Sequence, residues 1–170
     1  MPSQRELYIG LMSGTSLDGI DAVLADFSNG AFRLIHQHHQ SFPKKLKTTL
    51  MELIVANRQP DLLAGETTSR ELANCYVDAI NTLLRLTSDS GEKIANGDIV
   101  AIGNHGQTIY HRPPLSVQLD DGQYIADRTG ITVINQFRQA DLAAGGQGAP
   151  LVPAFHREIF SAPDKSVAVV

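Results

Sequence analysis

The chemistry-bearing residues of this chain fall into three clusters, and the densest is Met12-Ser13-Gly14-Thr15-Ser16-Leu17-Asp18-Gly19-Ile20-Asp21. Ser13, Thr15 and Ser16 supply hydroxyls, Gly14 and Gly19 supply conformational freedom, and Asp18 and Asp21 supply carboxylates. Small residues in succession expose backbone N–H groups, and with hydroxyls these make a concavity suited to an anion such as phosphate. Carboxylates beside that cradle would repel the anion unless a cation such as Mg²⁺ sits between them. The pattern therefore predicts a phosphate-and-metal turn from Gly14 to Asp21, with Asp18 and Asp21 on the metal. It is not a Walker A loop, because no Lys lies near and a strand follows it. A polar hairpin turn with convenient glycines is the plainer reading of the same residues.

The second cluster is Gly103-Asn104-His105-Gly106-Gln107-Thr108, directly after the apolar run Ile99 to Ile102. A continuous apolar run suits a strand covered on both faces by helices. Ligands of open α/β sheets gather just beyond such strand ends, so Asn104, His105, Gln107 and Thr108 form a candidate substrate-binding loop, with His105 and Gln107 as the candidate contacts. A loop histidine bonded to backbone is the competing reading. The third cluster is Arg138 and Asp141. Three apart, they share a helical face, and an ion pair between them is the bland reading. Alternatively Arg138 binds a substrate carboxylate while Asp141 accepts a hydroxyl or amide. Downstream, Gly145-Gly146-Gln147-Gly148-Ala149-Pro150 precedes an expected helix from about Leu151 to Phe160. Its N–H groups suit either an anion site or a tight turn packed beneath one.

Three stretches, in this order, resemble the anhydro-N-acetylmuramic acid kinase family. They are Met12 to Asp21, Gly103 to Thr108, and Ala143-Ala144-Gly145-Gly146-Gln147-Gly148-Ala149-Pro150-Leu151-Val152-Pro153-Ala154-Phe155-His156. One departure stands out: family members usually carry Asp-Phe-Arg where this chain has Gln136-Phe137-Arg138. The resemblance implies an α/β, actin-like ATPase (ribonuclease H-like) fold whose mixed sheet is opened by an antiparallel hairpin and flanked by helices. It implies ATP and Mg²⁺ at Gly14, Thr15, Ser16, Leu17, Asp18, Gly19, Ile20 and Asp21. It implies an amino-sugar substrate at His105, Gln107, Arg138 and Asp141. The implied reaction opens the 1,6-anhydro ring with phosphorylation at O6, in cytoplasmic recycling of cell-wall sugars, by a homodimer. Members are about twice this length, so residues 1–170 are expected to be the N-terminal lobe. The catalytic aspartate is then expected beyond Val170, and this segment alone is expected to be inactive.

The elements that must position these clusters follow from periodicity. Leu7 to Met12 and Ile20 to Phe27 read as a hairpin, Ser28-Asn29-Gly30 as a second turn, and Phe32 to Gln40 as a third strand. In that strand Phe32, Leu34, His36 and His38 are expected on one face. The His36-x-His38 pair lacks a third ligand at a diagnostic spacing. Pro43 opens a helix with Leu46, Leu50, Leu53 and Ile54 on its stripe, ending at Asn57-Arg58-Gln59-Pro60. A longer helix carries Leu72, Tyr76, Ile80, Leu83 and Leu84, and Cys75 beside that stripe reads as a packing residue. Tyr110 to Pro114 reads as an extended linker, Leu115 to Leu119 as a strand, Gln123 to Thr129 as one or two helical turns, and Ile131 to Ile134 as a strand. Val167 to Val170 reads as a buried strand, an unlikely natural terminus.

Bulk properties bound the classes. The 170 residues carry 14 basic and 18 acidic side chains, a net charge of −4, which leaves no electrostatic footprint for nucleic acid or an anionic membrane. Hydrophobic residues at 42% and charged residues at 19% are a globular composition. A single cysteine, Cys75, excludes an internal disulfide and fits a reducing compartment. The start, Met1 to Glu6, lacks the apolar core of a signal peptide. Two other functions remain open: a hydrolase using Ser16, His105 and Asp141, although no Gly-x-Ser-x-Gly elbow is present, and a binding module without turnover.

Overall fold

The computed structural model describes residues 5–56 and 62–168. The expectations for Met1 to Gln4, for the helix end at Asn57 to Pro60, and for Val169 and Val170 lie outside the described residues. Among the described residues six strands form one mixed sheet, in the order β3-β2-β1-β4-β5 with β6 added to β4. Strands β1 (Leu7–Ser13), β2 (Gly19–Asp26) and β3 (Arg33–Ser41) are joined by short turns and pair antiparallel. Two helices follow, α1 (Lys44–Ala56) and α2 (Leu62–Asp89). The chain then returns through β4 (Ile99–Arg112), parallel to β1. Beyond it come β5 (Leu115–Leu119), α3 (Gly122–Thr129), β6 (Val133–Ile134), α4 (Gln139–Ala143) and α5 (Pro153–Phe160).

Alternation along β1 buries Leu7, Ile9, Leu11 and Ser13 toward the helices. Leu72, Tyr76, Ile80 and Leu83 of α2 meet them, each fully buried. Burial of such side chains contributes roughly 1.5–3 kcal/mol each, which holds the long helix on the sheet. Leu46 and Leu50 of α1 join the same core, and the Pro43 carbonyl accepts the first helical bond from Lys47 N at 2.9 Å. Cys75 is buried and unpaired, a packing residue as expected, and burial pushes its thiol pKa up. The Asp121 carboxylate caps α3 by accepting from Tyr124 N at 3.0 Å, and Gly130 ends it in the left-handed conformation.

The hairpin turn differs from expectation in which residue bends. Neither Gly14 nor Gly19 takes a positive φ; Leu17 does, at 56°, and its N–H closes the turn on Gly14 O at 3.1 Å. The Leu17 side chain is completely buried, and that burial offsets a backbone conformation costing about 1–2 kcal/mol. Gly19 is required for another reason, since a Cβ there would stand 2.2 Å from the Gln40 carbonyl oxygen of β3.

Other expectations are corrected. In β3 a register shift between Leu24 and Ala25 leaves Ile35 as an extra residue, so alternation breaks there. Ile35 packs on the core while Phe32 and Leu34 are exposed, and only His36 and His38 keep the expected face half-buried. In the run Ile99 to Ile102 a register shift against β1 leaves Val100 as an extra residue, 49% exposed, while Ala101 and Ile102 on successive faces are both buried. Gly103 to Thr108 is not a loop but the middle of the continuous strand β4. Tyr110 to Arg112 continue that strand, and Pro113-Pro114 turn it into β5. The last helix begins at Pro153, and Val167 and Ala168 lie in no strand, with Val167 half exposed.

Candidate functional site

The turn between β1 and β2 faces the middle of β4 across a cleft of about 370 Å³. Met12, Ser13, Gly14 and Thr15 form one side, His105, Thr108 and His111 the floor, and Arg138 and Ala149 the far side. A bulge places the floor. Leu11 pairs with Asn104 and Ser13 with Gln107, so β4 spends one residue more than β1 over that stretch. Gly106 sits in the bulge with φ +70°, and a Cβ there would lie 2.8 Å from Leu119 O. Only glycine meets both conditions.

The turn is held from beneath by neutral groups. Ser13 Oγ shares a 2.7 Å hydrogen bond with the Tyr76 hydroxyl, whose pKa burial pushes far above its ordinary value. Gln107, fully buried, donates from Nε2 to Gly14 O at 3.2 Å and to Thr108 O at 3.3 Å. Gln107 is therefore a strut under the turn, and its Oε1 has no partner among the described residues. The N–H groups of Thr15 and Ser16 likewise find no partner among the described residues. Leu17 and Ile20 are completely buried, which leaves only their backbone for any ligand.

The two carboxylates of the turn diverge. Asp18 is exposed, and a hydrogen bond from the Ser16 hydroxyl holds its pKa below the usual value. Asp21 pairs instead with His39 Nδ1 on β3 at 2.8 Å. Neither lines the cleft, and no group of three metal-ligating side chains occurs among the described residues.

The far side is held by charged groups. Arg138 donates from Nη1 to Gly148 O at 2.7 Å and from Nη2 to His105 Nε2 at 2.8 Å. Asp141 Oδ2 accepts from Gly148 N at 2.7 Å, and the Asp141 carbonyl accepts from Gly146 N at 2.8 Å. Arg138 and Asp141 make no ion pair with each other; both grip Gly148. The glycine-rich stretch is thus a clasped turn packed beside the cleft, with these N–H groups already used. His105 has a fixed tautomer. A carbonyl only accepts and a guanidinium only donates, so Nδ1 carries the proton toward Gly106 O at 2.8 Å and Nε2 is the acceptor. Burial lowers the His105 pKa first and the Arg138 charge adds to it, against the Gly106 bond, so the imidazole is neutral. With His105 and Asp141 so engaged, a Ser16-His105-Asp141 relay is not assembled.

Among the described residues lining the cleft there is no carboxylate, and Arg138 is the one permanent charge. Two nitrogens of Arg138 are committed, yet a guanidinium has five N–H donors and its Nε finds no partner among the described residues. The arrangement suits an anionic, hydroxyl-rich ligand. The sequence reading placed Thr108 and Asn104 together in a substrate loop, whereas the structure puts Thr108 in the lining and Asn104 in the buried support; it did not single out Met12, His111 or Ala149 in the lining, nor Tyr76 beneath it. The Ser13–Tyr76 alignment spans 63 residues of sequence, which no local pattern reports.

A mixed sheet flanked by helices, with a cleft across β1 and β4, defines an α/β protein. The family model described as anhydro-N-acetylmuramic acid kinase matches residues 6–170, and the chain belongs to that family. It is 47% identical to the anhydro-N-acetylmuramic acid kinase of Nitrosomonas europaea, over 91% of this chain and 42% of that protein. It is 43% identical to the one of Psychrobacter cryohalolentis, over 94% of this chain and 40% of that protein. With the one of Vibrio cholerae identity is 42%, over 99% of this chain and 45% of that protein. The chain therefore spans less than half the length of these curated relatives. No helix among the described residues is long and apolar enough to cross a membrane.

Proposed function

We propose that the intact protein is an ATP-dependent kinase that opens the 1,6-anhydro ring of anhydro-N-acetylmuramic acid and phosphorylates O6. Family membership supports the reading, and the observation that carries it is the cleft that sets a hydroxyl-rich turn opposite Arg138 with no carboxylate in its lining. The order β3-β2-β1-β4, with β6 parallel to β4, supports an actin-like (ribonuclease H-like) lobe. In this reading residues 1–170 are the N-terminal lobe.

The residues present fit a phosphate group at the turn, because the Thr15 and Ser16 N–H groups and the Thr15 hydroxyl are free there among the described residues. ATP, when bound, supplies the phosphoryl group. Mg²⁺ usually keeps several waters and takes one or two carboxylates. Asp18, exposed on the same turn though outside the cleft lining, would be the carboxylate available to it, and Asp21 would join only by leaving His39. Arg138 holds the lactyl carboxylate through its spare donors, because a planar fork matches a carboxylate in two bonds. Neutral His105 orients that guanidinium. Gln107 and Asp141 act from behind the cleft surface, on Gly14 and Gly148. The base that activates water at the anomeric carbon is assigned to the part of the relatives that this chain does not span. Cytoplasmic recycling of wall sugars and a homodimer complete the proposal.

The test is ATP-dependent phosphorylation of anhydro-N-acetylmuramic acid by the intact protein, with mass measured in solution. Arg138→Lys should reduce kcat/KM about tenfold or more, from loss of about 1.5–3 kcal/mol in charge-assisted bonds. The loss should be greater for this sugar than for an analogue lacking the lactyl group. Asp18→Asn should raise the Mg²⁺ requirement without changing the melting temperature. Equal losses on both sugars would remove Arg138 from substrate recognition, and wild-type binding without turnover would favour a pure binding module.

A further inference from the structure

A chain of hydrogen bonds leaves the cleft and ends on a carboxylate outside it. Arg138 donates to His105 Nε2 at 2.8 Å, and His105 Nδ1 donates to Gly106 O at 2.8 Å. At the other end of the same residue, Gly106 N donates to Asn104 Oδ1 at 3.3 Å. Asn104, fully buried, donates from Nδ2 to Asp120 Oδ1 at 2.6 Å, and Asp120 Oδ2 accepts from Asn135 Nδ2. Asp120 ends β5's return toward α3, and Asn135 follows β6, so three separate segments meet on one carboxylate.

The polarity of this chain is fixed. The Asn104 amide must turn its oxygen to an N–H and therefore its NH₂ to Asp120. Asn135 also presents an NH₂. Asp120 then accepts on both oxygens, which suits the ionised carboxylate best, since it carries no proton that needs an acceptor of its own. Burial opposes ionisation and raises its pKa, while the two amide bonds act the other way. Asp120 forms no ion pair among the described residues, whereas its neighbour Asp121 takes Arg70 Nε at 2.9 Å. A half-buried charge without a cation is costly to keep, and a mere turn residue would serve as well neutral.

We propose that Asp120 is a positioning residue for the cleft: through the Asn104 amide it fixes the Gly106 bulge, and so the Gly106 carbonyl that holds His105 as the Nδ1–H tautomer receiving Arg138. The tautomer part stands on the geometry alone, and only the kinetic part rests on the sugar-kinase reading.

The decisive experiment reverses hydrogen-bond polarity without changing side-chain size. Asp120→Asn sets one NH₂ against another. Asp120→Asn combined with Asn135→Asp restores complementarity, since residue 120 then accepts from Asn104 and donates to residue 135. The readout is ¹⁵N NMR of the His105 ring at pH 7 in the intact protein, its signal identified by loss in His105→Gln. The wild type should show the Nδ1–H form alone. The single variant should show mixed tautomers or imidazolium, with KM for the anionic sugar raised about tenfold. The double variant should return the wild-type ring signal and bring KM within about twofold. A folded single variant with the wild-type tautomer overturns the proposal, and so does a folded double variant with no recovery. If Asp120→Asn does not fold, Asn104→Ser decides: it cuts the route from Asp120 to Gly106, and an unchanged ring signal in that folded variant is equally fatal. Should the wild type fail to phosphorylate the sugar, the kinase reading falls while the ring signal still judges Asp120.

Discussion

The turn side of the cleft, Met12 to Thr15, is anchored by uncharged groups, whereas the side carrying Arg138 and Ala149 is anchored by charged ones. Beneath the turn lie the Ser13–Tyr76 bond, the Gln107 strut and the buried Leu17 side chain. These spend no exposed donor of the turn, so the Thr15 and Ser16 N–H groups stay open among the described residues. On the opposite side, Arg138 and Asp141 each commit a bond to one glycine, Gly148, and Arg138 a second to His105. What remains for a ligand there is the outer part of a single guanidinium. The difference teaches that charge at a site edge is not by itself binding capacity; part of it is consumed in holding the edge in place.

The comparison breaks most completely at the shared floor. Gly106→Ala puts a Cβ 2.8 Å from Leu119 O at a φ of +70°. A loss of about 3 kcal/mol is expected from strain and overpacking together, seen as a lower denaturant midpoint. A loss below about 1 kcal/mol would mean that the bulge relaxes freely and fixes neither side. The next effect separates the two sides. Tyr76→Phe removes the partner of the buried Ser13 hydroxyl and should cost about 1 kcal/mol. It should weaken nucleotide binding while leaving the His105 tautomer unchanged; a shifted His105 signal would show that the sides are not independent.

Acid should act on the charged side first. The folded pKa of His105 lies below its ordinary 6.5. Just below pH 6.5 the unfolded chain therefore binds a proton that the folded chain refuses, and stability falls as pH drops. Asp120 works oppositely: with its folded pKa above 3.8, the folded chain binds that proton first on acidification, which restores some stability toward pH 3.8. Urea midpoints at pH 7 and 5.5 should differ less in His105→Gln than in the wild type, and equal differences would remove His105 as the acid-sensitive group. The smallest effect sharpens the picture of the segment leading to Arg138. Gln136 takes φ 55°, a conformation that Asn and Asp tolerate better than Gln. Gln136→Asn should stabilise by about 0.5 kcal/mol, and destabilisation would show that the Gln136 side chain makes a needed contact.

The hairpin, its turn and the helix stripes were legible because their signals are local: alternation, spacing and small residues. Which residue bends the turn was not, because Leu17 owes its left-handed conformation to burial beneath the sheet, a tertiary effect. Gly103 to Thr108 looks like a loop by composition, yet pairing with β1 and β5 overrides polar side chains and glycines. Arg138 and Asp141 stand three apart in sequence, but their common partner, Gly148, lies beyond any helical spacing. Asp120 reads locally as one of two turn aspartates before a glycine; nothing in that triplet shows the two amides converging on it from Asn104 and Asn135.

One edge of β4 has a seam. Its early residues Ile102 and Gly103 pair with β6, and from Gln107 onward it pairs with β5. Between those neighbours Asn104, His105 and Gly106 face no strand on that edge. A ladder that changes partner must leave some backbone groups to be claimed by something other than backbone. Here side chains claim them: Asn104 takes the Gly106 N–H and His105 takes the Gly106 carbonyl. The splice between two short neighbours thus recruits polar side chains into fixed orientations, and a sheet with one long unbroken neighbour at that edge would have had no vacancy for them to fill.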